Sequence, residues 1–349
     1  MFFSDLSEDQ ARQTIDVEQV FSGYDDARDA LERRFSGAMS WKTVAGRDYL
    51  YRKRGEIWKS LGPRTPETEA VARQFHEGRA DLERRVAALA ARLDAMAPVN
   101  RALKLGRLPV IAGRILRALR GAKLIGSGVE VVGTNALYAY ERLAAVQIAG
   151  AHLATADVDL LFDARRSLRL LTQEVSATGL VGLLRKVDRS FEVMGKGGFR
   201  AVNRDGYMVD LIMPAAKDRM TRPPRSRIGS DGTDLEAVEI EGLAWLVNSP
   251  KVHATVLDAR GYPLTMVAPD PRAFALHKLW LAAREDRDPL KQKRDQAQAD
   301  LVAALVAGRL PHLRFDDPAL GALPRALRAQ AGSLVPPPSE PPARLEPDW

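Results

Sequence analysis

Two aspartates one residue apart, Asp157 and Asp159 in "TADVDLLFD", interrupt an otherwise apolar run. Strand side chains alternate, so both carboxylates take one face while Val158 and Leu160 take the other. Like charges this close repel and raise each other's pKa unless a cation sits between them. Mg²⁺ is commonly held by one or two carboxylates together with substrate phosphates. A two-metal phosphoryl-transfer site needs a third carboxylate to complete its cage. Asp210 offers it, embedded between Val209 and Leu211 in "YMVDLIMP". Upstream, "VEVVGTNALYAYERL" reads as a strand, then Gly133-Thr134 with Asn135 beside them, then a helix. At such a junction, free backbone N–H groups and a hydroxyl can hold a phosphate, helped by the helix dipole.

The surrounding elements must bring these residues together. From Val129 onward, strands alternate with helices: "VEVVG" a strand, "NALYAYERLAAVQ" a helix, "DVDLLFD" a strand, residues 166–187 a broken helix. "FRAVNRDGYMVDLIMP" reads as two strands around Asp205-Gly206, a hairpin dipeptide in an alternating context. The Pro-, Gly- and charge-rich segment 217–234 reads as a loop. "LEAVEIEGLAWLVN" and "HATVLDARGYPLTMVAP" read as further strands, the latter turning at Arg260-Gly261. A helix follows with Asp270 at its cap and Pro271 at its first position, and "KQKRDQAQADLVAALV" supplies another.

Before Val129 the chain is mainly helical. Residues 1–36 read as one or two polar helices with Ser7 at the cap and Glu8 and Asp9 in the first turn. "SWKTVAGRDYLYRKRG" (40–55) suggests a basic β-hairpin turning at Ala45-Gly46. A helix capped by Thr65, with Pro66 first and Thr68 and Glu69 in its first turn, continues to a break expected at Pro98. "RLPVIAGRILRALRGAKL" gives one more amphipathic helix. The expected division is a helical region over 1–125, a catalytic core over 126–216, a C-terminal α/β portion over 217–315 and a disordered Pro-rich tail over 316–349.

The chain has 349 residues, 46% hydrophobic and 28% charged, an ordinary globular composition. Fifty-two Lys and Arg against 45 Asp and Glu leave a formal +7, compatible with an anionic substrate without demanding one. There is no cysteine, which excludes disulfides and thiol catalysis, and five scattered His argue against zinc. The acidic start "MFFSDLSEDQ" does not read as a signal peptide, and no apolar run is long enough to span a membrane. A cytoplasmic protein is expected.

Strand, Gly-Thr, helix, Asp-x-Asp on the next strand and a third Asp on a later strand resemble the polymerase-beta-type nucleotidyltransferase superfamily. That match covers roughly residues 115–215. Phrases such as "SLGPRTPETE", "VVGTNALYAYE" and "APDPRAFALHKLWLA" are similar to a bacterial nucleotidyltransferase-like family over most of the chain. The resemblance implies an α+β fold: a polymerase-beta-like core of mixed sheet and flanking helices, plus helical N- and C-terminal regions. It also implies Mg²⁺ (two ions, with Mn²⁺ an alternative) held by Asp157, Asp159 and Asp210. An NTP such as ATP would lie against Gly133, Thr134 and Asn135 and lose pyrophosphate to an acceptor hydroxyl. The helix carrying "RAFALHKLWLAAREDRD" and the following "KQKRDQ" resemble abortive-infection toxin-type nucleotidyltransferases, in which Lys278, aided by Arg284, would face the triphosphate and Asp295 would orient a basic partner or the acceptor. Two departures stand out: Thr134 replaces the family's Gly or Ser, and Gly133 and Asp157 lie 24 residues apart because "AAVQIAGAHLATA" resembles an insertion.

Other readings stay open. The same fold could be a non-catalytic module for nucleotide or nucleic acid, or a toxin-like enzyme acting on tRNA or protein, and a small-molecule acceptor fits as well. Asp163 suits a helix cap near Arg165 better than catalysis. His277, Trp245 and Trp280 read as packing. The hairpin could stack and clasp nucleic acid, or be an edge hairpin guarded by charge.

Overall fold

The computed structural model describes residues 2–165, 173–195, 197–216, 226–229 and 232–334. The chain forms two compact units. One comprises Met1–Ser7, Arg107–Asp258 and Leu264–Trp349, and the other Glu8–Gly106 with Ala259–Pro263. Strand β1 (Phe3–Asp5) belongs to the first.

The smaller unit is two long helices and a sheet. Helix α1 (Glu8–Phe35) opens with Glu8 and Asp9, as expected near the positive end of a helix dipole. Strands β2 (Ala38–Val44), β3 (Arg47–Arg54) and β4 (Ile57–Pro63) follow as an antiparallel meander, so the expected hairpin gains a third strand. Helix α2 (Pro66–Ala102) starts in a capping box, Thr65 and Thr68 each bonding the other's backbone N–H. Pro98 does not break this helix, which runs on to Ala102. The lost N–H falls in the last turns, and buried Asn100 ties that end down: it accepts from Gln13 Nε2 and donates to the Gly261 carbonyl, both at 2.8 Å. Met39 and Leu50 on the sheet pack with Phe35, Ala72 and Phe75 of the helices.

The larger unit carries the mixed α+β core. Helix α3 (Val110–Gly121) buries Ala112, Ile115, Leu116 and Leu119 in it, so the boundary between units falls at 106/107 and not near 125. Strand β5 (Val129–Val132) leads into α4 (Ala136–Leu143) and the short strand β6 (Val146–Ile148). The segment resembling an insertion thus contains a strand, and it pairs antiparallel with β1. After β7 (Asp157–Phe162) comes α5 (Gln173–Val187), kinked where Gly179 adopts φ +66°. A Cβ there would sit 2.1 Å from Asp234 Oδ2, whose carboxylate accepts the N–H groups of Leu180 and Val181. The part of the expected broken helix over 166–172, and 217–225 of the expected loop, lie outside the described residues.

Strands β8 (Glu192–Val193), β9 (Arg200–Val202), β10 (Met208–Pro214) and β11 (Val238–Ile240) complete a six-stranded sheet, ordered β5-β7-β10-β9-β8 with β11 on β10. Strand β10 is parallel to β7 and β11 but antiparallel to β9, across the expected Asp205-Gly206 turn. "LAWLVN" is not a strand: it forms helix α6 (Leu243–Asn248) behind a left-handed Gly242, because a six-residue apolar run suits a buried helix turn equally well. Strands β12 (Lys251–Leu257) and β13 (Pro263–Pro269) pair with each other. Helices α7 (Pro271–Ala282) and α8 (Pro289–Arg309) cap with Asp270 and Asp288, each followed by Pro at the first position. Nor is 316–334 a disordered tail: Leu320, Leu323, Leu327 on α9 (Arg325–Ala329) and Leu334 are buried in the core. The Pro-rich stretch 335–349 lies outside the described residues. No helix among them is long and apolar enough to cross a membrane.

Tyr140 on α4 is fully buried, stacks edge-on against Phe274 and donates its hydroxyl proton to the Pro269 carbonyl at 2.9 Å, just before α7. Tyr140→Phe removes only the donor and strands that carbonyl, so a loss of about 1–2 kcal/mol is expected. A lowered urea midpoint with an unchanged denaturant slope would show it.

Candidate functional site

Register brings the acids together. On β7, Val158 is fully buried while Asp157 and Asp159 are half-buried, as strand alternation requires. Across the parallel pair, Asp210 lies directly beside Asp159; across the antiparallel pair, Val132 does. The next residue, Gly133, therefore turns against Asp159 with φ +62°, a conformation that glycine favours. An added Cβ would fall 2.0 Å from Asp159 Oδ2. All three acids line one cavity of about 390 Å³ with Gly133, Thr134 and Lys278.

The electrostatics follow from that crowding. Burial, then Asp157, then Asp210 push the Asp159 carboxyl up to about 7, while Lys278 and Arg294 pull the other way. Asp157 accepts a hydrogen bond from the Thr155 hydroxyl, and its backbone carbonyl accepts one from Asn135 Nδ2 at 2.6 Å. Asn135 Oδ1 is buried without a hydrogen-bond partner. Thr134 is buried and its hydroxyl accepts from Gln298 Nε2 of α8 at 3.1 Å.

Asp210 is gripped by Arg200, whose Nε and terminal nitrogen reach its two oxygens at 2.7 and 2.6 Å. Arg200 is Asp210's partner in the β9–β10 register, so counting back across the Asp205-Gly206 turn reaches it. Among the described residues, no three acidic or histidine side chains form a grouping that could hold a metal ion. The donor chemistry still suits an oxygen-seeking divalent ion at Asp157 and Asp159, since two carboxylates plus substrate phosphates are an ordinary Mg²⁺ environment. Asp210 in this arrangement is committed to Arg200.

Opposite the acids stands a basic wall. Lys278 on α7 is buried, and its Nζ donates to Asp295 Oδ1 of α8 at 2.7 Å. Burial lowers the Lys278 pKa, and Asp295 opposes the shift. Burial pushes the Asp295 carboxyl up, but Lys278 and Arg287 outweigh it and hold it below the usual range. Arg287 reaches Asp295 Oδ2 at 3.0 and 2.7 Å. Lys291 and Arg294, one helical turn apart on α8, also line the cavity. Ile212, Ile240, Leu243 and Leu246 form an apolar side wall.

Arg284 is not part of this lining. It lies beyond the end of α7, where it pairs with Asp286 and Glu241 and packs over Trp280. His277 is buried against Trp245 and Trp280, and burial pulls its pKa down to about 3, so it stays neutral. Asp163 accepts the N–H of Arg165 and pairs with its guanidinium; the helix expected beyond it lies outside the described residues.

The decisive comparison is with protein families: a family model described as nucleotidyltransferase matches residues 111–323, more than half of the chain. The chain belongs to the nucleotidyltransferase family. The match contains every acid and base of the cavity described above. No curated protein and no solved structure matches the chain.

For this nucleotidyltransferase, the crowded acids generate a stability test. Asp159 titrates near 7 when folded against an ordinary value of 3.8, so its neutral form is the one folding favours. Its unfavourable contribution is absent below pH 4 and grows as pH rises through 7. In metal-free buffer with chelator, Asp159→Asn should unfold at the wild-type urea concentration near pH 4. It should be more stable than wild type above pH 7, by on the order of a few kcal/mol. A gap that does not change with pH would refute the burial-and-repulsion account.

Proposed function

We propose that the protein transfers a nucleoside monophosphate from an NTP to a hydroxyl acceptor, releasing pyrophosphate, on a polymerase-beta-type core. The observation that carries this reading is the convergence of Asp157, Asp159 and Asp210 on one cavity with Gly133 at their side and Lys278 opposite. The pairing of Lys278 with Asp295 supports the narrower kinship with toxin-type nucleotidyltransferases. Asp157 and Asp159 would hold Mg²⁺ or Mn²⁺, with Asp210 as the third ligand for a second ion. When bound, such an ion supplies charge neutralisation at the phosphates and makes the acceptor hydroxyl more acidic.

The chain's own residues do the rest. The Gly133–Asn135 turn offers backbone N–H groups to the triphosphate. Lys278, Lys291 and Arg294 offset its negative charge, and the apolar side wall has the character of a nucleobase seat. The acceptor oxygen attacks the α-phosphorus, forming a P–O bond, as the bond to the bridging oxygen breaks and pyrophosphate leaves with the electron pair. The acceptor's proton goes to a carboxylate. Asp210 can take it on a lone pair that Arg200 does not use, and the guanidinium that orients the carboxylate makes Arg200 a positioning residue. tRNA, protein and small-molecule hydroxyls all suit this chemistry.

One observation favours a second reading. Arg200 grips both oxygens of Asp210, and a carboxylate fixed in that orientation and unable to hold a second ion would leave a site that binds nucleotide without transferring it. A single pair of measurements separates the two. With each α-labelled NTP, Mg²⁺ and cell lysate, wild type should label an acceptor, and Asp157→Ala or Asp159→Ala should abolish it, by at least a hundredfold. Near-wild-type transfer by either variant would sink the proposal. Calorimetric binding of Mg²⁺·NTP with no transfer to any acceptor would establish the binding module instead.

A further inference from the structure

The transfer reading leaves the three-stranded sheet of the smaller unit without a role. Its register sorts the side chains. Lys42 is opposite Tyr49, Ser40 opposite Tyr51 and Lys53 opposite Trp58, so these residues share one face with Arg47, the partner of Val44. Met39 and Leu50 take the other face, which packs on the helices together with Trp41. The outer face therefore carries three aromatic rings and three cations, and no acid. Asp48 points with the inner set, where it binds Thr43 and Arg64. Among the described residues, Lys42, Arg47 and Lys53 have no acidic partner. Instead, Lys42 Nζ stands 3.4 Å from the Trp58 ring centre and 5.3 Å from that of Tyr51, and Lys53 Nζ stands 5.4 Å from Trp58.

Guarding an edge against strand addition explains lysine on β2 and β4. It does not explain Tyr49, Tyr51 and Lys53, which lie on the central strand, where no edge is open. A membrane-seeking surface would segregate its apolar and basic groups, whereas these alternate within one plane. Interleaved cations and rings, with Trp58 exposed and Tyr49 and Tyr51 half-buried, are what a flexible polyanion with stackable bases requires: phosphates meet the ammonium and guanidinium groups while bases stack on the rings. A duplex, its bases already stacked and turned inward, uses only the charges.

We infer that the outer face of the β2-β3-β4 sheet binds single-stranded nucleic acid. The inference does not rest on the transfer reading, because the face lies in the smaller unit and requires neither Asp157 nor NTP. The test is fluorescence anisotropy of a labelled oligouridylate of about 20 nucleotides against the full-length protein, with an RNA duplex of equal length alongside. The single strand should bind at least tenfold tighter than the duplex, with affinity falling as salt rises. Lys42→Glu with Lys53→Glu should weaken binding more than tenfold and flatten the salt dependence. Trp58→Ala should weaken it about tenfold at an unchanged salt slope, and Trp58→Phe should restore most of the loss. Lys59→Ala, which removes a charge from the opposite face, should change binding less than twofold. Equal affinity for the duplex, insensitivity to Trp58→Ala, or equal loss from Lys59→Ala would reduce the face to plain charge and overturn the inference. So would binding to anionic phosphatidylserine vesicles with none to the oligouridylate.

Discussion

Parallel pairing of β7 with β10 sets Asp159 against Asp210, and the chemistry of the larger unit is arranged around the resulting repulsion. A sheet that sets a half-buried and a buried carboxylate in register must balance them with positive charge. Three cations do so: Arg200 grips Asp210 directly, while Lys278 and Arg294 act on Asp159 through space. The balance is incomplete, since Asp159 still titrates far above an ordinary carboxyl. Burial is the largest cause of that shift and the neighbouring carboxylates add to it, so a divalent cation between the acids would relieve the part that Asp157 and Asp210 contribute.

The positive side is itself built by burial. Lys278 is held by an aspartate that is fully buried and shared with Arg287. Such a triad contributes little net stability, because taking charges out of water offsets most of their attraction. Its effect is geometric: it joins α7 to α8 and fixes the height at which the ammonium faces the acids. Gln298, one turn further along α8, reaches across to the Thr134 hydroxyl. One helix thereby sets the basic wall and also braces the turn expected to meet phosphate.

Much of this was readable in the sequence, and for identifiable reasons. The acids were legible because period-two alternation and a hairpin dipeptide fix which side chains share a face. Arg200 follows from the same register, but an arginine on a hairpin strand is ordinarily solvated, so its residue type alone does not mark it. Asp295, expected to orient a basic partner, does pair with Lys278, while Lys291, Arg294 and Gln298 share its helix at helical spacing, a pattern masked by the high charge of that helix. Arg284 was misplaced because α7 ends at Ala282, which turns it toward Asp286 and Glu241. The breaks expected at Pro98 and after 316 gave proline too much weight: buried Asn100 in one case, and Leu320, Leu323 and Leu327 in the other, outvote it.

Gly133 carries a further consequence. Its backbone passes so close to Asp159 that a side chain at this position would force that carboxylate to shift, on top of the strain of a left-handed φ. Positions 133 and 159 therefore form a steric pair, and the glycine records the acid. A related chain that lost the aspartate to a small residue would lose the steric reason for glycine at 133 and keep only the conformational one, whereas one that kept the aspartate would keep both. A side chain at that single turn would thus mark a degenerate site in sequence alone, before any assay.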